Sequence, residues 1–311
     1  MTGTRSLQKT SDICGREQEL DVLRRALNTV KNGTSHLVLI DGETGVGKTA
    51  LAEAFRADVE KANGTFISGK FDEQHRDVPF NALVHGFRSY IEQEILANEN
   101  RLNGLRELLK ESLGDQLSLV ARAIPPLLKV IGPSLANESA HSFDQRERLQ
   151  AALLRFIFVF TSREEPLVIF MDDLHWADSA SRQLILSLLT ANKSNGMLII
   201  SSMRGKEVSD SHPVYRMLTE LAQARVRYSR IVLGNLDVTG VRCVTQARRS
   251  DQGFFDGEID ELAKLIFSKT SGNPFFIKQM FRCLIEAGAL GCVFRLRRPA
   301  VSVRFRPAIG A

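Results

Sequence analysis

The chain has 311 residues, 43% of them hydrophobic and 25% charged, with 41 Lys and Arg against 36 Asp and Glu for a formal net charge of +5. Those fractions are ordinary for a soluble globular protein with room for one large or two smaller domains. The surplus charge lies in the acid-free stretch 291–311, which carries Arg295, Arg297, Arg298, Arg304 and Arg306, so bulk charge gives no support for a nucleic-acid partner.

Cys14, Cys243, Cys283 and Cys292 form no C-x-x-C pair and no metal-ligand spacing with the six histidines, and free thiols are expected. The opening stretch MTGTRSLQKTSDICGRE has no apolar core of signal-peptide length. No later run approaches the ~20 apolar residues needed to span a bilayer. The expectation is a cytoplasmic protein without a membrane anchor.

In chain order, residues 12–31 read as an amphipathic helix with Leu20, Leu23, Leu27 and Val30 on one stripe. A first strand, 37–40, runs into the octapeptide Gly42-Glu43-Thr44-Gly45-Val46-Gly47-Lys48-Thr49, which completes the phosphate-binding pattern G-x-x-x-x-G-K-[ST]. Glycines there let the backbone aim successive N–H groups at phosphates, and the following helix adds its positive N-terminal end. Lys48 is expected to reach the β- and γ-phosphates and Thr49 to hold Mg²⁺, with Ala50 completing the nucleotide contacts. A helix over 48–62 and a strand over 65–68 close a βαβ unit around this loop.

From 79 to 160 the pattern is helical, with Phe80, Leu83, Val84, Phe87, Ile91 and Ile95 at helical spacing and breakers at Pro125-Pro126 and Gly132-Pro133. The insertion suggests a subdomain beside the sheet, and most of its apolar residues read as core. Apolar runs at 167–171, 197–202 and 230–233 alternate with helical patterns at 179–189 and 214–222. Five strands with crossover helices imply an α/β fold with a mainly parallel sheet.

The run 167–171 ends in Asp172-Asp173. A buried strand delivering two carboxylates beside the first strand is the second half of a phosphate-loop site. Asp172 suits the Mg²⁺ sphere, and Asp173 suits a general base that polarises an attacking water. His175 and Trp176 read as packed turn residues, with Asp178 capping the next helix.

These stretches resemble, in order along about 12–290, the AAA-type ATPase domain of STAND signal-transduction NTPases, which is similar to the ATPase core of origin-recognition proteins. The matching segments are Cys14-Gly15-Arg16-Glu17-Gln18-Glu19-Leu20, Ser68-Gly69-Lys70-Phe71-Asp72 with Arg76, Pro79 and Phe80, the run from Val168 to Asp178, Ser202-Met203-Arg204, and Gly272-Asn273-Pro274. The resemblance implies a P-loop ATPase core over 12–235 and a helical lid over 236–290. It implies ATP and Mg²⁺ as ligands, Arg16 near the base or ribose, Arg204 as a sensor of the γ-phosphate, and Pro274 against the adenine. Residues 238–258 depart from the family's lid pattern. The tail at 291–311 fits truncation or an altered reading frame as well as a basic arm.

The function implied is a nucleotide-dependent signalling switch with slow ATP hydrolysis, acting on a protein partner or fused effector, with nucleotide-dependent oligomerisation an open alternative. An origin-recognition-like DNA-binding ATPase would need a winged-helix domain beyond Leu290, for which too few residues are expected. A scaffold that binds nucleotide without turnover is the third reading.

Overall fold

The computed structural model describes residues 13–96, 99–132, 145–161, 165–191, 196–247 and 256–286. The expected tail at 291–311 lies outside them. The chain divides between Gly234 and Asn235 into two compact units.

The first unit runs α1 (Glu17–Lys31), β1 (His36–Gly42), α2 (Lys48–Lys61), β2 (Thr65–Lys70) and α3 (Asn81–Tyr90), which continues into one π-helical turn, Ile91–Ile95. Then follow α4 (Glu99–Leu113), α5 (Leu117–Ala123), α6 (Leu127–Ile131), α7 (Gln145–Phe158), β3 (Leu167–Asp172), α8 (Ser179–Thr190), β4 (Met197–Met203), α9 (Pro213–Gln223) and β5 (Arg227–Leu233). The strands pair in the order β2-β3-β4-β1-β5, and every pairing is parallel. The expected α/β class and all five strands are present. One placement differs: β3, with its two aspartates, is not beside β1, because β4 lies between them. Strands buried on both faces all read as continuous apolar runs, so their sequences carry no record of which neighbours they take.

Strand alternation sorts the core onto the two faces of the sheet. Leu37, Leu39, Ile67, Ile169, Met171 and Ile199 face one way and pack with the helices of the 79–160 insertion, including Phe87, Ile91 and Phe156. Val38, Ile40, Phe66, Val168, Phe170, Leu198 and Ile200 face the other way onto α1 and α2. The insertion therefore supplies core helices for one face, which it shares with Leu184, Ile185 and Leu188 of α8 and Val214, Met217 and Leu221 of α9. Its entry is unusually close: a methyl on Gly69 would sit 2.1 Å from the Ala82 carbonyl oxygen, so α3 and β2 approach backbone to backbone.

The second unit is helical in its described part: α10 (Val238–Ala247), α11 (Asp256–Thr270) and α12 (Pro274–Glu286). Leu236, Val241, Leu262, Ile266, Ile277 and Phe281 form its core. Where the sequence departs from the family pattern, a regular helix forms at α10, while 248–255 lie outside the described residues. Among the described cysteines Cys283 is free and exposed. Cys14 and Cys243 are not free, against the expectation. Cysteine spacing along a chain does not encode which thiols the fold engages.

Candidate nucleotide site

The turn from β1 into α2 needs its glycines for identifiable reasons. Gly45 and Gly47 have φ of 83° and 99°, the left-handed region that a side chain disfavours. A methyl on Gly42 would lie 2.5 Å from the Leu233 carbonyl oxygen of β5. The loop thus closes tightly over the end of the sheet before α2 begins at Lys48.

Lys48 is buried, and its Nζ donates to the Gly42 and Glu43 carbonyl oxygens at 2.7 and 2.9 Å. Burial pushes its ammonium pKa below the ordinary lysine value, with nearby Arg204 adding to the effect and Asp173, Asp172 and Asp41 opposing it. Thr49 Oγ1 donates to Asp172 Oδ2 at 2.7 Å. Exposed Ala50 sits beside it in the first turn of α2. Glu43 and Thr44 form the exposed crest of the loop, and Glu43 Oε1 pairs with Lys206 Nζ at 2.6 Å.

Asp172 and Asp173 are both buried. Ser202, at the end of β4 and fully buried, donates from Oγ to Asp172 Oδ1 and accepts the Asp173 backbone N–H at 2.8 Å. One hydroxyl on the intervening strand therefore fixes both acids. Asp173 itself takes a left-handed backbone, φ 57° and ψ 49°. Its carboxylate lies between two cations, with Lys70 Nζ 3.6 Å from Oδ2 and Arg204 Nε 3.6 Å from Oδ1. Arg204 also pairs with Glu207 at 3.1 Å.

Lys48, Thr49, Asp172, Asp173 and Arg204 thus converge at the C-terminal edge of the sheet. Arg16 lies against the glycine-rich loop, with its buried guanidinium engaged by Glu19 Oε1 at 3.2 Å, the Val46 carbonyl at 3.2 Å and the Gly234 carbonyl at 2.5 Å. Pro274 is the first residue of α12 in the second unit, following Asn273, whose Oδ1 accepts the Phe275 N–H at 3.0 Å. Asp178 caps α8 through the Ser181 N–H at 2.8 Å. His175 is buried beside Trp176, and neither ring nitrogen has a hydrogen-bond partner among the described residues. Burial lowers its pKa.

Sequence reasoning passed over Ser202, Lys70 and Asp41 as site residues. Ser202 had a signal, as one of two adjacent hydroxyls, Ser201 and Ser202, that interrupt an apolar strand run two positions before Arg204. The groups present fit a nucleotide with a divalent cation. Positive-φ glycines and an ammonium held at the loop suit phosphate oxygens, and the Thr49 hydroxyl with the Asp172 carboxylate forms an all-oxygen set suited to Mg²⁺.

Residues 13–200 match the family model described as the AAA ATPase domain. The chain is 27% identical over 184 residues to hybrid signal transduction histidine kinase G of Dictyostelium discoideum, a match covering 59% of this chain and 5% of that protein. It is also 27% identical over 194 residues to histidine protein kinase 1 of Candida albicans, covering 58% and 8%. The chain therefore spans under a tenth of the length of these curated relatives. Among solved structures it is similar to the Aeropyrum pernix ORC2 protein in its ADPNP and ADP complexes, with TM-score 0.47 and 15% identity over 91% of this chain and 66% of that one. With the loop, the parallel sheet and a family match over more than half its length, this chain belongs to the AAA ATPase domain family.

Proposed function

We propose that this chain is an ATP-binding, slowly hydrolysing module of the STAND type that works as a nucleotide-dependent switch within a cytoplasmic signalling protein. The observation that carries the reading is the network joining Thr49, Asp172, Ser202 and Asp173 at the mouth of the glycine-rich loop. It gives the cation-binding residues and the candidate base a fixed relation to each other.

In this reading the loop N–H groups and Lys48 bind the phosphates, with Lys48 leaving the Gly42 and Glu43 carbonyls for them. Thr49 and Asp172 would hold Mg²⁺, which when bound neutralises phosphate charge. Asp173 accepts a proton from the attacking water. Arg204 responds to the extra charge that separates ATP from ADP, because a guanidinium at this edge binds oxyanions strongly. Pro274 offers a rigid apolar face to the adenine. The similarity to histidine kinases supports a protein partner or fused effector as the receiver of the signal. Differential contact with the γ-phosphate would supply the free energy that shifts the switch.

Calorimetric titration of Mg·ATP together with phosphate release tests this. Lys48→Ala is expected to weaken binding at least about hundredfold, and Asp173→Asn to keep binding while lowering turnover about a hundredfold. Native turnover in Asp173→Asn would remove the base assignment, and binding with no phosphate release by the native chain would favour the scaffold reading. Native affinity in Lys48→Ala would remove the loop as the site.

A further inference from the structure

Asp41 is the penultimate residue of β1, directly before Gly42 where the glycine-rich loop starts, and its carboxylate is buried. A buried carboxylate is costly unless it is paired and hydrogen-bonded. Here Oδ1 accepts the Gly205 backbone N–H at 2.7 Å, and Oδ2 pairs with the Arg230 guanidinium of β5. The approach is as close as the chain permits, since a methyl on Gly205 would lie 2.5 Å from Oδ2.

Gly205 follows Arg204 directly. Fixing its N–H fixes the peptide plane that joins the two residues, and with it the direction in which the Arg204 side chain leaves the backbone. On the other side, Ser202 is anchored to the acids of β3. Arg204 is therefore bracketed by two buried anchors, a hydroxyl held on one strand and a backbone N–H held on another. A further link, Lys206 to Glu43, joins the same segment to the loop, but both partners are exposed and solvent screens the pair.

We propose that Asp41 is a positioning residue for Arg204: by holding the Gly205 N–H it sets the guanidinium toward Asp173 and so fixes how strongly the site prefers ATP to ADP. The inference rests on the reading of Arg204 as the residue that responds to the γ-phosphate. Asp41 acts through the backbone and does not itself contact nucleotide. Arg230 balances the buried charge of Asp41, while the acceptor atom Oδ1 does the positioning.

The test measures Mg·ATP and Mg·ADP affinities by calorimetry on the full chain, together with the melting temperature. Arg204→Ala should reduce the ATP-to-ADP affinity ratio about tenfold or more, and Asp41→Ala should reproduce about tenfold of that loss with ADP affinity nearly unchanged. Asp41→Asn keeps an acceptor for the N–H and should retain the ratio within about twofold, although it loses the ion pair. Gly205→Ala sets a methyl against the Asp41 carboxylate, so one of the two must shift and their hydrogen bond is disrupted; the ratio should be lost as in Asp41→Ala. If Asp41→Ala does not fold, Gly205→Ala decides. A native ratio in Asp41→Ala or Gly205→Ala, with the ratio lost in Arg204→Ala, overturns the role of Asp41 alone. An equal loss in Asp41→Asn would assign the effect to the Arg230 ion pair and overturn the acceptor role. A native ratio in Arg204→Ala overturns the sensor reading and this inference with it.

Discussion

Thr49 Oγ1 donates a 2.7 Å hydrogen bond to Asp172 Oδ2, fastening the first turn of α2 to the end of β3, a strand that does not pair with β1. The space between is bridged by β4, whose Ser202 holds the second carboxylate oxygen. Removing that hydroxyl leaves the buried Asp173 N–H without its partner. Ser202→Ala is expected to destabilise the fold by about 1–3 kcal/mol, measurable as a lower urea midpoint with an unchanged slope. Turnover should fall further than ATP affinity, because the base loses its backbone anchor.

Arg16 ties the Val46 carbonyl of the loop to the Gly234 carbonyl at the end of the first unit. Arg16→Ala should cost about 2 kcal/mol, since two partly buried carbonyls lose a charged donor. Arg16→Lys should recover little of it, because an ammonium lacks the planar fork that serves several acceptors at once. Preference for ATP over GTP should stay native in both variants. A lost preference with native stability would support the place by the base or ribose that the family resemblance implies for Arg16.

The contact between β2 and α3 is backbone on backbone. Gly69→Ala places a methyl 2.1 Å from the Ala82 carbonyl oxygen and should cost about 3 kcal/mol or more. Gly104→Ala is the control, since nothing lies within 4 Å of a methyl there. On exposed helix it should be neutral or slightly stabilising by thermal melting.

His175 gives the fold a pH dependence of definite sign. Burial lowers its pKa below the ordinary 6.5, with Arg204 and His212 adding to the shift and Asp173 and Glu207 opposing it. The unfolded chain therefore binds a proton that the folded one resists. The contribution to stability is full above about pH 6.5 and is lost as the pH falls through the folded value. His36 and His212 are shifted in the same direction, chiefly by burial. Urea midpoints should drop between about pH 7.5 and about pH 5.5, and His175→Leu should flatten part of that drop. An unchanged slope in His175→Leu would place the dependence on the other two histidines.

What the sequence disclosed follows from how local each signal is. The loop from Gly42 to Thr49 is contiguous, so its glycines, lysine and threonine are readable as a block. β3 and β4 were legible because both faces are buried and their runs are largely apolar. Strand order was not, since Asp172 was expected beside β1 and lies beyond β4. Ser202, Lys70 and Asp41 were missed for the same reason. Each gains its role from a partner 30 to 189 positions away in the chain, and no local pattern marks such a pairing. Arg16 was legible as part of a motif, but its carbonyl partners were not.

The interleaved strand order also bears on how the protein reaches its working form. Thr49 and Asp172 are 123 positions apart, and Arg16 and Gly234 are 218 apart. Such contacts close large loops and belong to the slow, entropically costly steps of assembly. The residues proposed to hold nucleotide therefore come together only after β4 has docked between its neighbours. A chain stalled with β1 and β2 formed would carry the whole glycine-rich loop and still lack the acids and their serine. Competence to bind would then be a certificate of finished folding, and any ligand of the finished site would draw the population toward it by mass action.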